Sequence, residues 1–117
     1  GGLYLGYDGG DSVIEDSLIR QNTVTESDGG GIYIYYADVS IRRSEITDNK
    51  ALSGTAGGVY QEDSTTNLTD TDVTHNSSLN DPGGYYNGGT VNVYGDVNIT
   101  DNDPSNCGGN DIEGCFG

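Results

Sequence analysis

"GGGIYIYYADVSIRRSEITDN", residues 29–49, returns in altered form as "AGGVYQEDSTTNLTDTDVTHN" at residues 56–76. Both copies open on paired glycines and run into an aliphatic–Tyr pair. Both close on an isolated aliphatic three residues before an Asn. No catalytic signature stands in either. The recurrence is the informative feature, because a fixed period of this length is the mark of a stacked repeat.

Two independent anchors carry the period along the chain. The first is the Asn column of Asn22, Asn49, Asn76 and Asn102, spaced 27, 27 and 26 residues apart. Three positions before each stands Ile19, Ile46, Val73 or Ile99, and eight before stands Ile14, Ile41, Leu68 or Tyr94. The second anchor is the Gly-Gly pair that opens "GGLYL", "GGIYI", "GGVYQ" and "GGYYN". It sets Tyr4, Tyr33, Tyr60 and Tyr86 in one column, and Leu3, Ile32, Val59 and Tyr85 in the column before it.

Apolar residues alternate with period two inside each unit, which is the strand signature. The second unit reads as short strands over 31–35, 38–42 and 44–47. Ile41 and Ile46 lie an odd number of residues apart, so a corner between them is needed to keep both inward. The stretches between units, such as "ALSGTA" and "LNDP", are rich in turn formers. Such a coil, repeated in register, describes an all-β parallel β-helix. Four coils over residues 1–104 at the β spacing rise roughly 19 Å, and a C-terminal loop occupies 105–117. The Asn column fits an internal ladder, each amide bonding the coils above and below. Asn also tolerates the left-handed backbone of sharp corners. If Leu3, Ile32 and Val59 face inward, parity turns Tyr4, Tyr33, Tyr60 and Tyr86 outward as an aromatic ladder. That ladder has a second reading as a sugar- or partner-binding stripe.

Composition narrows the function. The 117 residues carry a formal charge of −15, with 19 acidic and four basic side chains. The basic ones are Arg20, Arg42, Arg43 and Lys50, so residues 51–117 have none. Nucleic acid is excluded as a partner, because phosphate contacts need basic side chains. Anionic membrane surfaces are disfavoured for the same reason, and no apolar run is long enough to cross a bilayer. The two cysteines, Cys107 and Cys115, stand eight positions apart in "NCGGNDIEGCFG". They read as a disulfide closing a small irregular loop, which points to an oxidising, extracellular or cell-surface setting. Divalent cations suit the acidic surface. Calcium is the candidate cofactor, with Asp101, Asp103, Asp111 and Glu113 as ligands in Gly-rich turns and Asp8 and Asp11 as a further pair. Asn67 and Asn98 head sequons and are candidate glycosylation sites. Asn76 also heads one, but its ladder position leaves no room for a glycan.

The pattern Gly-Gly-aliphatic-Tyr followed by aliphatic-x-x-Asn resembles the right-handed parallel β-helix repeats of the pectate-lyase-like superfamily. It is most similar to those of bacterial surface and secreted proteins, including the polymorphic outer-membrane type. The resemblance covers residues 1–104. It implies a fold shared by lyases, hydrolases, adhesins and passive stalks, and so does not fix an activity. Lyases of the fold pair acidic calcium ligands with a basic residue. Here Arg42 and Arg43 face Glu15 and Asp16 one coil earlier, which reads as an ion pair on a solvated face. Hydrolases need carboxylates facing one cleft. Asp70, Asp72 and Asp96 read instead as turn residues. His75, the single His, has no Ser or Cys partner nearby. "GCFG" placed before "GGLYL" rebuilds the repeat motif, so head-to-tail stacking of subunits is expected. The reading is a structural, non-enzymatic β-helical module that stacks into a fibre or stalk for adhesion or matrix. The alternative is a carbohydrate-binding or polysaccharide-degrading module.

Overall fold

The computed structural model describes residues 1–7 and 11–117. Asp8, one of the proposed calcium ligands, lies outside the described residues. The described residues form strands only, with no helix. The first coil holds β1 (Leu3–Gly6), β2 (Asp11–Glu15), β3 (Leu18–Arg20) and β4 (Thr23–Val24). The second holds β5 (Ile32–Tyr35), β6 (Asp38–Arg42), β7 (Glu45–Thr47) and β8 (Lys50–Thr55). In the third, β9 (Val59–Thr69) runs through without a break, followed by β10 (Asp72–Thr74) and β11 (Ser77–Asn80). The fourth has β12 (Tyr85–Tyr94) and β13 (Asn98–Thr100), and β14 (Cys107–Gly109) begins a fifth rung.

All pairings are parallel, each strand lying on its counterpart one coil away. The order β1-β5-β9-β12-β14, with β2 and β6 beside it, makes a seven-stranded face. The other two faces are β3-β7-β10-β13 and β4-β8-β11. The chain is therefore a three-faced parallel β-solenoid of about four turns. Ile32, Ile34, Ile41, Ile46, Val59, Leu68, Val73 and Tyr85 fill the interior and are fully buried.

Four expectations need correction. First, the post-Asn stretch "ALSGTA" is not a linker: Lys50–Thr55 is a strand of the third face. A strand in a stack needs only a backbone above and below, so rung pairing overrides the turn preference of Ser and Gly. The first two expected strands share one face, kinked at Tyr36 with φ 51°. Second, Val93 rather than Tyr94 aligns with Leu68. The register slips between Gly88 and Thr90, and a one-residue slip flips side chains to the other face. Tyr94 is left 54% exposed. Third, the left-handed residue at the second corner precedes the Asn. Gln21, Asp48, His75 and Asp101 all take φ of 56–58°. Asn is thereby free to point its amide inward. Fourth, Cys107 does not sit in an irregular loop, because β14 pairs with Tyr85–Asn87.

The corner between Ile41 and Ile46 stands as expected, with Arg43 at φ 47°. Its equivalents Asp16, Asp70 and Gly95 take the same conformation. The Gly-Gly column has a steric cause. A Cβ on Gly58 would sit 2.5 Å from the carbonyl of Gly84 and 3.0 Å from Asn76 Nδ2. The backbone passes too close to the Asn ladder for any side chain.

Candidate functional site

Three features of this solenoid bear on function: the Asn ladder, the aromatic stripe and the two ends. The ladder is continuous. Asn49 Nδ2 donates to Asn76 Oδ1 at 3.0 Å and to the Ile19 carbonyl at 3.0 Å. Asn76 Oδ1 also accepts the Asn49 backbone N–H at 3.0 Å. The same pattern joins Asn22 to Asn49 and Asn76 to Asn102. The amide oxygens of Asn49, Asn76 and Asn102 thus each take two donors from the coil before, which satisfies polar groups that the core would otherwise strand. Asn106, only four residues after Asn102, supplies the acceptor for Asn102 at 3.0 and 3.1 Å. It breaks the period, so no sequence spacing announces it.

A second ladder lies at the first corner. Ser44 Oγ accepts the Ser17 N–H at 3.1 Å, and Thr71 Oγ1 accepts the Ser44 N–H at 3.4 Å. The 27-residue spacing of these hydroxyls in the sequence is the signal that could have found them. Another unanticipated pair is buried deeper. Tyr85 Oη donates to Gln61 Oε1 at 2.5 Å, and Gln61 Nε2 donates to the Ser64 and Thr90 carbonyls. Burial holds the Tyr85 phenol above its ordinary range.

Tyr4, Tyr33, Tyr60 and Tyr86 form the expected column and face outward. Their ring centroids are 5.3, 5.1 and 4.8 Å apart, with planes within 21° of parallel. Each inner ring is sandwiched between two others. The stripe therefore offers solvent mainly ring edges and hydroxyls, while stacking a flat ligand needs a free face. Tyr4, with one stacked neighbour, is 62% exposed. Partial burial, then the nearby Glu62 and Asp28 carboxylates, push the Tyr33 and Tyr60 phenols up. Tyr35 is pushed up to about 12 by desolvation and by Tyr7 and Tyr36 beside it.

The ends differ. At the N-terminal end the inward column is open: Leu3 is 39% exposed where Ile32, Val59 and Tyr85 are fully buried. Leu3, Ile14, Leu18, Ile19 and Asn22 line a concavity of about 350 Å³ there. Among the described residues, β1, β2, β3 and β4 each pair with a neighbour on one side alone. At the C-terminal end Ile112 is 5% exposed and packs in the core cluster, with Cys107 and Cys115 against it. Asn87 Nδ2 donates to the backbone carbonyls of Asn110 and Asp111, both at 3.3 Å. The Cys107–Cys115 disulfide is formed.

The remaining candidates are placed as follows. Arg43 Nε donates to Asp16 Oδ1 at 2.8 Å, and its Nη2 lies 3.3 Å from Glu15. Arg43 holds the Asp16 carboxyl below its usual range. This is the expected cross-coil pair on an exposed face. Asp70 Oδ1 accepts the Asp96 N–H at 2.8 Å, as a turn residue does. Asp72 and Asp96 both accept from Asn98 Nδ2. Asp101, Asp103, Asp111 and Glu113 are exposed. Among the described residues no three His, Cys, Asp or Glu side chains gather as a metal site would require. Asn67 accepts from Asn92 on the outer surface and Asn98 is exposed, while Asn76 is buried in the ladder. No helix among the described residues is long and apolar enough to cross a membrane.

The chain matches no family model, no curated protein and no solved structure.

Proposed function

We propose that this chain is a structural, extracellular β-solenoid module, joined to a further coil of the same kind through its N-terminal rung. The observation that carries the reading is the contrast between the ends. Leu3 and Ile14 stand at the mouth of an otherwise sealed core, above a row of single-sided strands. A strand edge of this kind is a template for another strand. Ile112 and the disulfide loop pack over the opposite end, so the N-terminal rung is the edge this geometry favours for receiving a further coil. The module then acts as part of a stalk or fibre used in adhesion or matrix.

The finer fold assignment belongs to the same proposal. A right-handed parallel β-helix of the pectate-lyase-like superfamily, of the polymorphic outer-membrane repeat type, agrees with the columns of Gly-Gly and Asn. The strong bias of parallel crossovers to the right-handed sense supports that winding. The disulfide supports an oxidising compartment. Calcium binding along the acidic faces is carried as part of the proposal by charge alone. The sandwiched rings of the stripe weigh against a polysaccharide platform.

The test is to add a coil. A copy of residues 30–56 placed ahead of Gly1 puts Gly1 where Gly57 follows Ala56 in the native chain. Sedimentation and thermal melting of both chains are then compared. The reading expects the native chain to self-associate with concentration, and the extended chain to melt at a higher temperature in one transition. An added coil that stays unfolded, leaving the melting temperature unchanged, overturns it.

A further inference from the structure

Side chains that give up an electron readily are confined in this protein to one residue type. The sequence has no Trp and no Met, and it has nine Tyr. Both cysteines are joined in the disulfide. Any electron removed from a side chain therefore comes most readily from a tyrosine. Tyr33, Tyr60 and Tyr86 stand on successive rungs of the second, third and fourth coils. Their centroids are 5.1 and 4.8 Å apart, with planes 21° and 11° from parallel. Backbone pairing fixes these contacts, because Tyr60 is the rung partner of both Tyr33 and Tyr86. All three rings are half-buried, and their hydroxyls point toward solvent. Partial burial, then the Glu62 and Asp28 carboxylates beside them, keep the Tyr33 and Tyr60 phenols protonated.

We propose that the Tyr33–Tyr60–Tyr86 stack is a relay for oxidising equivalents, which accepts them from a one-electron oxidant such as a peroxide-derived radical and passes them from coil to coil. In the first step the oxidant gains one electron and becomes its reduced form. The tyrosine that supplied the electron loses its Oη proton to water at the exposed edge and is left as a tyrosyl radical. In each later step the neighbouring tyrosine gives up an electron and its Oη proton, and the first ring regains its O–H. The net movement is one hydrogen atom by one rung. The stacked geometry favours this for a physical reason. A ring that has lost an electron is a diffuse cation, and a neighbouring ring face attracts it. Tyr60 has such a face on either side. Nearby carboxylates stabilise positive charge further, as does the formal charge of −15. A ladder that served packing alone would be filled as well by phenylalanine, so the phenol hydroxyl is what the relay requires. The relay stands apart from the stacking proposed above, because it lies within these three coils.

The experiment uses the whole chain with ortho-aminotyrosine in place of Tyr86. That ring is oxidised more easily than tyrosine, and its radical absorbs apart from tyrosyl, so it traps what the stack delivers. Azide radicals made by pulse radiolysis oxidise the tyrosines, and absorbance follows both radicals in time. Tyrosyl should decay as the aminotyrosyl radical grows, at a first-order rate independent of protein concentration. Tyr60→Phe keeps a stacked ring on the middle rung and removes its phenol, so this growth phase should be lost. Tyr94→Phe removes a tyrosine that stacks on no other ring among the described residues, and should leave the phase intact. Circular dichroism and melting temperature check that both variants fold as the parent does. The proposal is overturned by absence of the growth phase, by a rate that rises with protein concentration, by its survival unchanged in Tyr60→Phe, or by its loss in Tyr94→Phe.

Discussion

Asn22 and Asn102 occupy the same column at opposite ends of the solenoid. Asn102 passes its amide to Asn106, a residue outside the period that serves as the next rung's acceptor. Asn22 gives its amide to Asn49 in the second coil, and it lines the concavity at the N-terminal rung. The apolar columns repeat the contrast. Ile99, one rung from the C-terminal end, is 6% exposed beneath the terminal loop, whereas Leu3 is 39% exposed. At the C-terminal end Asn106 and Ile112 stand where a next coil would contribute its Asn and its apolar side chain, and the N-terminal rung shows no counterpart among the described residues. In a solenoid each coil is stabilised by its neighbours, so the end without a substitute should be the weaker one.

The largest effect should come from comparing two core positions in one column. Ile41→Ala removes a fully buried side chain and should cost about 2–5 kcal/mol in chemical denaturation. Ile14→Ala, one rung outward and half-buried, should cost less than half as much. Equal costs would mean that the N-terminal rung is covered in solution. Next comes the ladder. Asn76→Ala strands the buried Asn49 N–H and should destabilise by roughly 2–4 kcal/mol. Asn22→Ala strands nothing in the coil below and should cost under ~1 kcal/mol.

The closed end is probed by removing its staple. Cys107→Ala with Cys115→Ala opens a small loop and should lower stability by about 2–3 kcal/mol. Hydrogen exchange should then quicken over residues 103–117 while β5 and β6 hold their protection. Uniform loss of protection would show that the loop braces the whole stack. The smallest and most diffuse effect is alkaline. Tyr33, Tyr35, Tyr60 and Tyr85 have phenols raised above the reference of 10.0. A raised value favours the protonated fold, so this stabilisation is whole below pH 10.0; the share of Tyr35 is lost as pH climbs through about 12, and those of Tyr60 and Tyr85 at higher pH still. Phenolate absorbance and circular dichroism against pH should show ionisation of these inner tyrosines together with unfolding. Their free ionisation in a folded chain would contradict the packed stripe.

Much of this architecture was legible because repetition is recorded in the sequence. The Gly-Gly and Asn columns placed the rungs, and parity set Tyr33 opposite Ile32 without saying which faces inward; burial of Ile32 and Ile34 decides it. The disulfide followed from two cysteines near each other. The site was less legible. The Tyr column was visible as spacing, but the ring geometry that consumes its faces was not. Neither was Asp28, which a loop brings beside the stripe from another face of the coil.

What the sequence determined by itself is the period, because stacked coils must place like residues on like residues for every rung to bury the next. Tertiary structure alone decided where the period fails. Thr90 slips one residue and puts Val93 in the place of Tyr94. Asn106 enters the ladder out of turn. Ile112 folds back over the last coil. Each of these depends on how the backbone packs in three dimensions where the repeat is interrupted, and no spacing along the chain encodes that packing.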